Sequence, residues 1–164
     1  SLAWAFAVFD HRPETQSAGL FGAGFAGRCD ELAPHFEAEH LSQLHQARLW
    51  LGGEGCEGEG WSGEEGGGRC GVLLPSPELL RRAKEAFVSW PVQSSQMQRQ
   101  VGEALALMGL SPHEEVLVEN GYSLDFVVEW RGQRLGVEVS GPDHFIGSSP
   151  CGAHLLKQRQ MRRP

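Results

Sequence analysis

Residues 121–145 read GYSLDFVVEWRGQRLGVEVSGPDHF, and this stretch decides the fold of the second half of the chain. Leu124–Trp130 and Leu135–Val139 alternate apolar with other residues, which is typical of β-strands with one buried face. Arg131-Gly132 lies between them and predicts a tight turn. We therefore expect an antiparallel hairpin at this place.

Acidic and polar side chains lie at or just beyond the ends of these two strands. Asp125 is near the start of the first strand and Glu138 near the end of the second, so antiparallel pairing places them nearly opposite each other. Ser140, Asp143 and His144 follow. A carboxylate pair of this kind binds the hard cation that polarises a phosphate and activates water in metal-dependent nucleases.

The spacing of Glu138-Val139-Ser140 matches the (D/E)xK element of restriction-like nucleases, but a neutral serine replaces the third group. Asp125 and Glu138 are thus candidate metal-binding and catalytic residues, and His144 is a candidate proton-transfer group because imidazole titrates near neutral pH. Structural roles are the alternative. Acidic residues at strand ends also bind backbone amides or arginines, and a loop histidine can serve as a hydrogen-bond donor.

Helical patterns occupy most of the remaining sequence. Residues 2–9 predict a buried helix, Gly19–Gly27 a turn region, and Glu31–Leu51 one or two amphipathic helices. Pro75–Glu78 begins a further helix. Together with the strands, these helices predict a mixed α/β protein.

The second half of the chain contributes more elements on either side of the hairpin. Ser94 or Ser95 caps a helix that ends at Gly109, and Val116–Glu119 predicts a short strand. Cys151–Arg163 predicts a last helix, with its two leucines facing inward and its basic side chains facing outward. Those basic side chains belong to Lys157, Arg159, Arg162 and Arg163.

Residues 52–74 are rich in glycine and glutamate, a composition that buries too little apolar surface to offset the entropy of ordering. We expect a flexible linker there. Its glutamates also account for most of the formal net charge of −7, so the total charge does not argue against nucleic-acid binding. The four cysteines form no CxxC pair and suggest neither a zinc site nor a disulfide framework.

The hairpin segment and the PCGAHLLKQRQMRR sequence that follows it resemble the RAP domain, a module of organellar RNA-processing proteins. The resemblance covers residues 75–164 and implies a restriction-endonuclease-like fold, similar to that of very-short-patch-repair endonucleases, and RNA binding. The family usually has aspartate where Ser140 stands, which argues against catalysis. It also usually continues beyond the basic helix with another strand, so we expect a domain truncated at its C-terminus.

The upstream sequences LAWAFAVF and HLSQLHQARLWL resemble the helical repeats that precede RAP domains. The predicted organisation is therefore an α-helical region at 1–51 that ends a series of helical repeats, a linker at 52–74 and a RAP-like domain at 75–164. The chain lacks a start methionine, so we expect it to be part of a longer protein whose targeting segment is elsewhere.

The resemblance implies RNA binding in organellar RNA metabolism, in a chloroplast or mitochondrion, with single-stranded transcripts and ribonucleoproteins as partners and without a membrane. The basic residues of the last helix and His144 are the expected RNA contacts, and no cofactor is required. The alternative is an endoribonuclease that uses Asp125 and Glu138 with Mg²⁺ or Mn²⁺. A third hypothesis is a protein-interaction platform in a ribonucleoprotein.

Overall fold

The structure is a computed structural model that describes residues 2–11, 21–51, 75–91 and 93–162. The chain forms two compact units, Ser1–Ser89 and Trp90–Pro164. The described part of the first unit is helical, and that of the second combines helices with small antiparallel sheets, which confirms the mixed α/β prediction. The predicted linker at 52–74 and the predicted RNA contact Arg163 lie outside the described residues.

Four α-helices build the described part of the first unit. They are α1 (Leu2–Phe9), α2 (Ala23–Leu32), α3 (Ala38–Leu51) and α4 (Pro77–Val88), with a short 3-10 helix at Ala33–His35 between α2 and α3. The predicted helix at 2–9 is confirmed, but it is buried on one side only: Ala3 and Ala7 are buried, whereas Leu2 and Phe9 are exposed.

The turn predicted at Gly19–Gly27 is wrong for its second half, because α2 begins at Ala23. A helical glycine costs about 1 kcal/mol relative to alanine. Ala26 and Cys29, three residues apart, are the buried residues of α2, and Phe25 packs against the core that contains Cys29. We attribute the helix to this packing, which offsets the low helix propensity of the glycines.

Helix α4 belongs to the first unit and packs on α3, with Leu79 and Ala83 in the same buried cluster as Leu41 and Leu44. Its start is confirmed at Ser76, whose hydroxyl accepts a hydrogen bond from the Leu79 N–H. The predicted domain at 75–164 begins before this helix, whereas the compact units divide after Ser89.

The second unit contains a three-stranded sheet in the order β1-β2-β3, with both strand pairs antiparallel. A two-stranded ribbon, β4-β5, lies between this sheet and the last helix in sequence. The elements of the second unit are α5 (Gln96–Leu107), β1 (His113–Leu117), β2 (Ser123–Trp130), β3 (Gln133–Val137), a 3-10 helix at Pro142–His144, β4 (Phe145–Ile146), β5 (Ser149–Pro150) and α6 (Gly152–Met161). The predicted order of helix, three strands and helix is confirmed, and the first strand begins at His113 instead of Val116.

The predicted hairpin is confirmed. Trp130 pairs with Gln133, and both residues between them have a positive φ, 51° at Arg131 and 77° at Gly132. Two such residues are characteristic of a type I′ turn, whose twist matches that of the flanking strands. This turn fixes the register and therefore determines which residues of β2 and β3 lie opposite each other.

Helix α5 packs closely against one face of this sheet. The Ser95 hydroxyl caps its start by accepting a hydrogen bond from the Gln98 N–H at 3.0 Å, and Gly109 follows its end with a φ of 79°. A Cβ at Gly102 would lie 3.0 Å from the ring of Phe126, so this glycine allows the close approach of helix and strand.

Within the described residues, the helices are too short or too polar to cross a membrane.

Candidate nucleic-acid interface

The hairpin register brings the two predicted carboxylates together. Phe126 pairs with Val137, so continuing the register by one residue places Asp125 opposite Glu138, just beyond the end of β3. The backbone N–H of Val139 donates a 2.6 Å hydrogen bond to Oδ2 of Asp125. This contact holds the chain after β3 against β2, which is one of the structural roles that acidic residues at strand ends can have.

Glu138 forms an ion pair with a residue of α6. Its Oε2 lies 2.7 Å from Nζ of Lys157, and both side chains are about one quarter exposed. Burial raises the pKa of the Glu138 carboxyl, and the nearby Asp125 charge adds to the increase. The hydrogen bond and charge of Lys157 lower that pKa, but they do not cancel the increase. The other oxygen, Oε1, is buried and has no hydrogen-bond partner among the described residues.

Ser140 contacts α6 through a buried histidine that the sequence did not identify. Its Oγ lies 3.1 Å from Nε2 of His154, and Nε2 of Gln158 lies 2.8 Å from the same ring nitrogen. A neutral ring with its proton on Nδ1 can accept from either group at Nε2. His154 is 5% exposed, and burial lowers its pKa, as do the charges of His144 and Lys157.

His144 lies directly beside this buried group. Its ring centroid is 4.7 Å from that of His154, and the carbonyl of His144 accepts a 2.7 Å hydrogen bond from the N–H of Cys151, the residue before α6. His144 itself is exposed, as is Asp143. The loop after β3 is thus attached to α6 by both side-chain and backbone contacts.

The basic side chains of α6 differ in their surroundings. Lys157 is paired with Glu138, and Arg159 is half-buried near Tyr122, where its charge opposes the increase that burial causes in the pKa of the tyrosine. Arg162, which follows the helix, is exposed. The prediction that all these side chains face outward is therefore wrong for Lys157 and Arg159.

The apolar side of α6 also differs from the prediction. Leu156 is fully buried, but Leu155 is 40% exposed, so only one of the two leucines faces inward. His154 and Gln160 are the other buried residues of the helix, at positions two before and four after Leu156. The i, i+4 spacing of His154 and Gln158 was the available sequence signal for their contact, although it did not reveal burial.

The metal-binding prediction has two candidate ligands in this place. Asp125 and Glu138 are close, but one accepts from a backbone amide and the other is paired with a lysine. Among the described ranges, no group of three or more His, Cys, Asp or Glu side chains is arranged to hold a metal ion. Protein Mg²⁺ sites are often formed by one or two carboxylates together with substrate phosphates. The pair could therefore hold the ion only with oxygens supplied by a substrate.

Comparison of the chain with protein-family models, with curated proteins and with solved structures gives no match.

Proposed function

We propose that the chain binds single-stranded RNA and acts in organellar RNA metabolism, in the processing, stability or translation of transcripts. The binding surface, called here the α6 surface, comprises residues 138–145, α6 and Arg162. The observation that carries the proposal is that the two sequence segments resembling the RAP domain contact each other, through Lys157 with Glu138 and through His154 with Ser140 and His144. A restriction-endonuclease-like fold is part of this proposal.

The charges of the α6 surface suggest which side chains would contact phosphates. Arg162 and His144 are exposed, whereas Lys157 already has a carboxylate partner. Phosphate contacts made by cationic side chains release counterions, so affinity falls as salt rises, with a slope of about −0.7 per neutralised phosphate on single strands. We expect Arg162 to contribute to this slope and Lys157 to contribute mainly to the docking of α6.

The proposal is tested by fluorescence anisotropy with a labelled single-stranded RNA over a range of salt concentrations. Arg162→Gln should weaken binding and reduce the salt slope by about 0.7. Arg99→Gln on α5 is the matched control, because it removes the same charge from an exposed arginine elsewhere in the unit, and it should leave the slope unchanged. Replacing Lys157, Arg159, Arg162 and Arg163 together by Glu should abolish most of the binding. Unchanged affinity in that variant would refute the proposal.

A metal-dependent endoribonuclease is the second candidate function. It is favoured by the adjacent carboxylates of Asp125 and Glu138 and by the buried Oε1 of Glu138, which lacks a hydrogen-bond partner among the described residues. Both carboxylates would hold Mg²⁺ or Mn²⁺, which supplies Lewis-acid activation of a phosphate and of water. His144 is exposed in the loop after β3 and would be the proton-transfer group.

Labelled RNA incubated with the protein and Mg²⁺ or Mn²⁺ distinguishes the two functions. Cleavage that disappears in Asp125→Ala and Glu138→Ala would establish the nuclease. Binding without cleavage, or cleavage that persists in both variants, would remove it. An interaction platform, the third hypothesis, would instead retain a protein partner after nuclease treatment of the sample.

A further inference from the structure

The turn between β2 and β3 carries an exposed aromatic side chain next to a cation. Trp130 is 42% exposed, and the guanidinium carbon of Arg131 lies 5.4 Å from the centroid of its ring. We call these two residues, together with Leu135 on β3, the turn surface.

The strand geometry explains why apolar side chains are exposed at the turn surface. Side chains alternate along a strand, so Trp130 shares a face with Val128 and Phe126. Phe126 is fully buried where Gly102 of α5 approaches it, and Val128 is 3% exposed. Leu135 pairs with Val128 and is 40% exposed. The face of the hairpin that carries Phe126 and Val128 is therefore buried in one part and exposed in the next, where it ends at the ring of Trp130.

The other described tryptophans have different surroundings. Trp50 is 1% exposed and donates a hydrogen bond to Asp10, and Trp4 donates one to Gln46. Trp90 is 51% exposed but has no guanidinium placed over its ring among the described residues. Trp130 thus combines an accessible ring with neighbouring positive charge, the pairing that proteins use to hold single-stranded nucleic acid.

We propose that the turn surface is a second RNA contact, at which an unpaired base stacks on Trp130 while Arg131 binds a flanking phosphate. Glu129 lies opposite Arg134 in the register and offsets its charge, so Arg131 leaves this end of the hairpin positively charged, which is complementary to a phosphate backbone. The inference deepens the proposed function and depends on it. It specifies the substrate class as RNA with unpaired bases.

Binding of the full chain to a labelled single strand of about 12 nucleotides tests the inference. Trp130→Ala should weaken binding by roughly 5- to 100-fold without changing the salt slope, since stacking neutralises no charge. Trp130→Phe should retain most of the affinity. Trp90→Ala is the matched control, because it removes another exposed tryptophan, and it should bind as the unmodified chain does.

Two further measurements separate stacking from a merely structural role. Arg131→Gln should reduce the salt slope by about 0.7, the effect of one phosphate contact, whereas Arg134→Gln, on the opposite face of the hairpin, is the matched control and should leave the slope unchanged. Trp130→Ala should leave the affinity for an RNA duplex of the same length unchanged, because paired bases cannot stack on the ring. A variant that lost its fold would lose both affinities, and Trp130→Phe would still report on stacking.

The outcomes distinguish this inference from the proposed function. If the unmodified chain shows no salt-dependent binding to RNA, both fail. If it binds and Arg162→Gln reduces the slope, but Trp130→Ala binds as tightly as the unmodified chain, the turn surface is not an RNA contact. Equal loss of single-strand and duplex affinity in Trp130→Ala, with an unchanged circular dichroism spectrum, would likewise overturn base stacking.

Discussion

The ion pair between Lys157 and Glu138 gives a quantitative prediction about the docking of α6. Lys157→Gln removes the ammonium from Oε2 of Glu138, whose Oε1 already lacks a hydrogen-bond partner among the described residues. Exposed pairs contribute about 0.2–1 kcal/mol, and breaking a fully buried pair costs about 3–5 kcal/mol. Because both side chains are about one quarter exposed, we expect an intermediate cost of about 1–3 kcal/mol in the free energy of α6 opening.

The substitution of the other partner, Glu138→Gln, should lower the free energy of α6 opening by less than Lys157→Gln does. Burial raises the pKa of Glu138, so its ionised form is disfavoured by the site, and Glu138→Gln removes that cost while keeping an oxygen that can accept from Lys157. We expect a loss below about 1 kcal/mol in this variant and a coupling energy near 1 kcal/mol in the double-mutant cycle. The double variant should therefore be more stable than the sum of the single effects predicts.

Hydrogen exchange of the α6 amides in the full chain is the suitable assay. The chain forms two compact units, so a single global unfolding transition is not assured, whereas these amides report local opening of one helix. Lys157→Gln should accelerate their exchange by about 5- to 150-fold. Lys84→Gln, at an exposed position of α4 in the other unit, is the matched control and should have no effect on α6.

A small effect of Lys157→Gln on exchange of the α6 amides would refute the expected contribution of the ion pair. If Lys157→Gln changes the exchange of the α6 amides by less than about twofold, the pair contributes less than about 0.4 kcal/mol. The attraction between the two charges would then be offset entirely by the cost of removing them from water. The docking of α6 would depend on His154 and Leu156 instead.

Three further predictions concern stability. Burial lowers the pKa of His154 below 6.5, so the unfolded state binds more protons at this side chain than the folded state does. The stabilisation that neutral His154 gives to α6 is therefore present above that pH and lost as the pH falls below it. His154→Gln should flatten the decrease in α6 protection measured between about pH 7.5 and 5.5. Gly102→Val should destabilise α5 by about 2–3 kcal/mol, measured by exchange of the α5 amides, because its side chain would meet the Phe126 ring. Gly24→Ala, in open space on α2, should stabilise that helix by up to about 1 kcal/mol, measured by exchange of the α2 amides. Ser95→Ala removes the cap of α5 and should cost about 1 kcal/mol, measured by exchange of the first α5 amides.

Local sequence signals predicted the hairpin and the starts of α4 and α5 well. Strand alternation and Arg131-Gly132 determine the two strands and their turn, because the backbone conformation of a two-residue turn depends on the residues within it. The cap of α5 was predicted at Ser94 or Ser95 for a similar reason, because the hydroxyl of Ser95 accepts from an amide only three residues away. The proximity of Asp125 and Glu138 followed from the register.

Other features depended on contacts between distant residues and were missed or mistaken. Helix α2 forms despite its glycines because Cys29 packs against residues of α3 and α4. The burial of His154 depends on the loop after β3, fourteen residues away from it at Ser140. Periodicity within α6 could not show that one leucine of an adjacent pair would remain exposed.

The sequence by itself determined the hairpin, the capped helices and the proximity of the carboxylate pair, since these follow from turn conformation, side-chain alternation and hydrogen bonds within a few residues. The tertiary structure decided which polar groups are already engaged. It pairs Lys157 with Glu138 and buries His154 against Ser140, while Arg162 and Trp130 remain exposed. The physical reason is that ion pairing and burial depend on the packing of α6 against the loop after β3, and no local pattern specifies that packing.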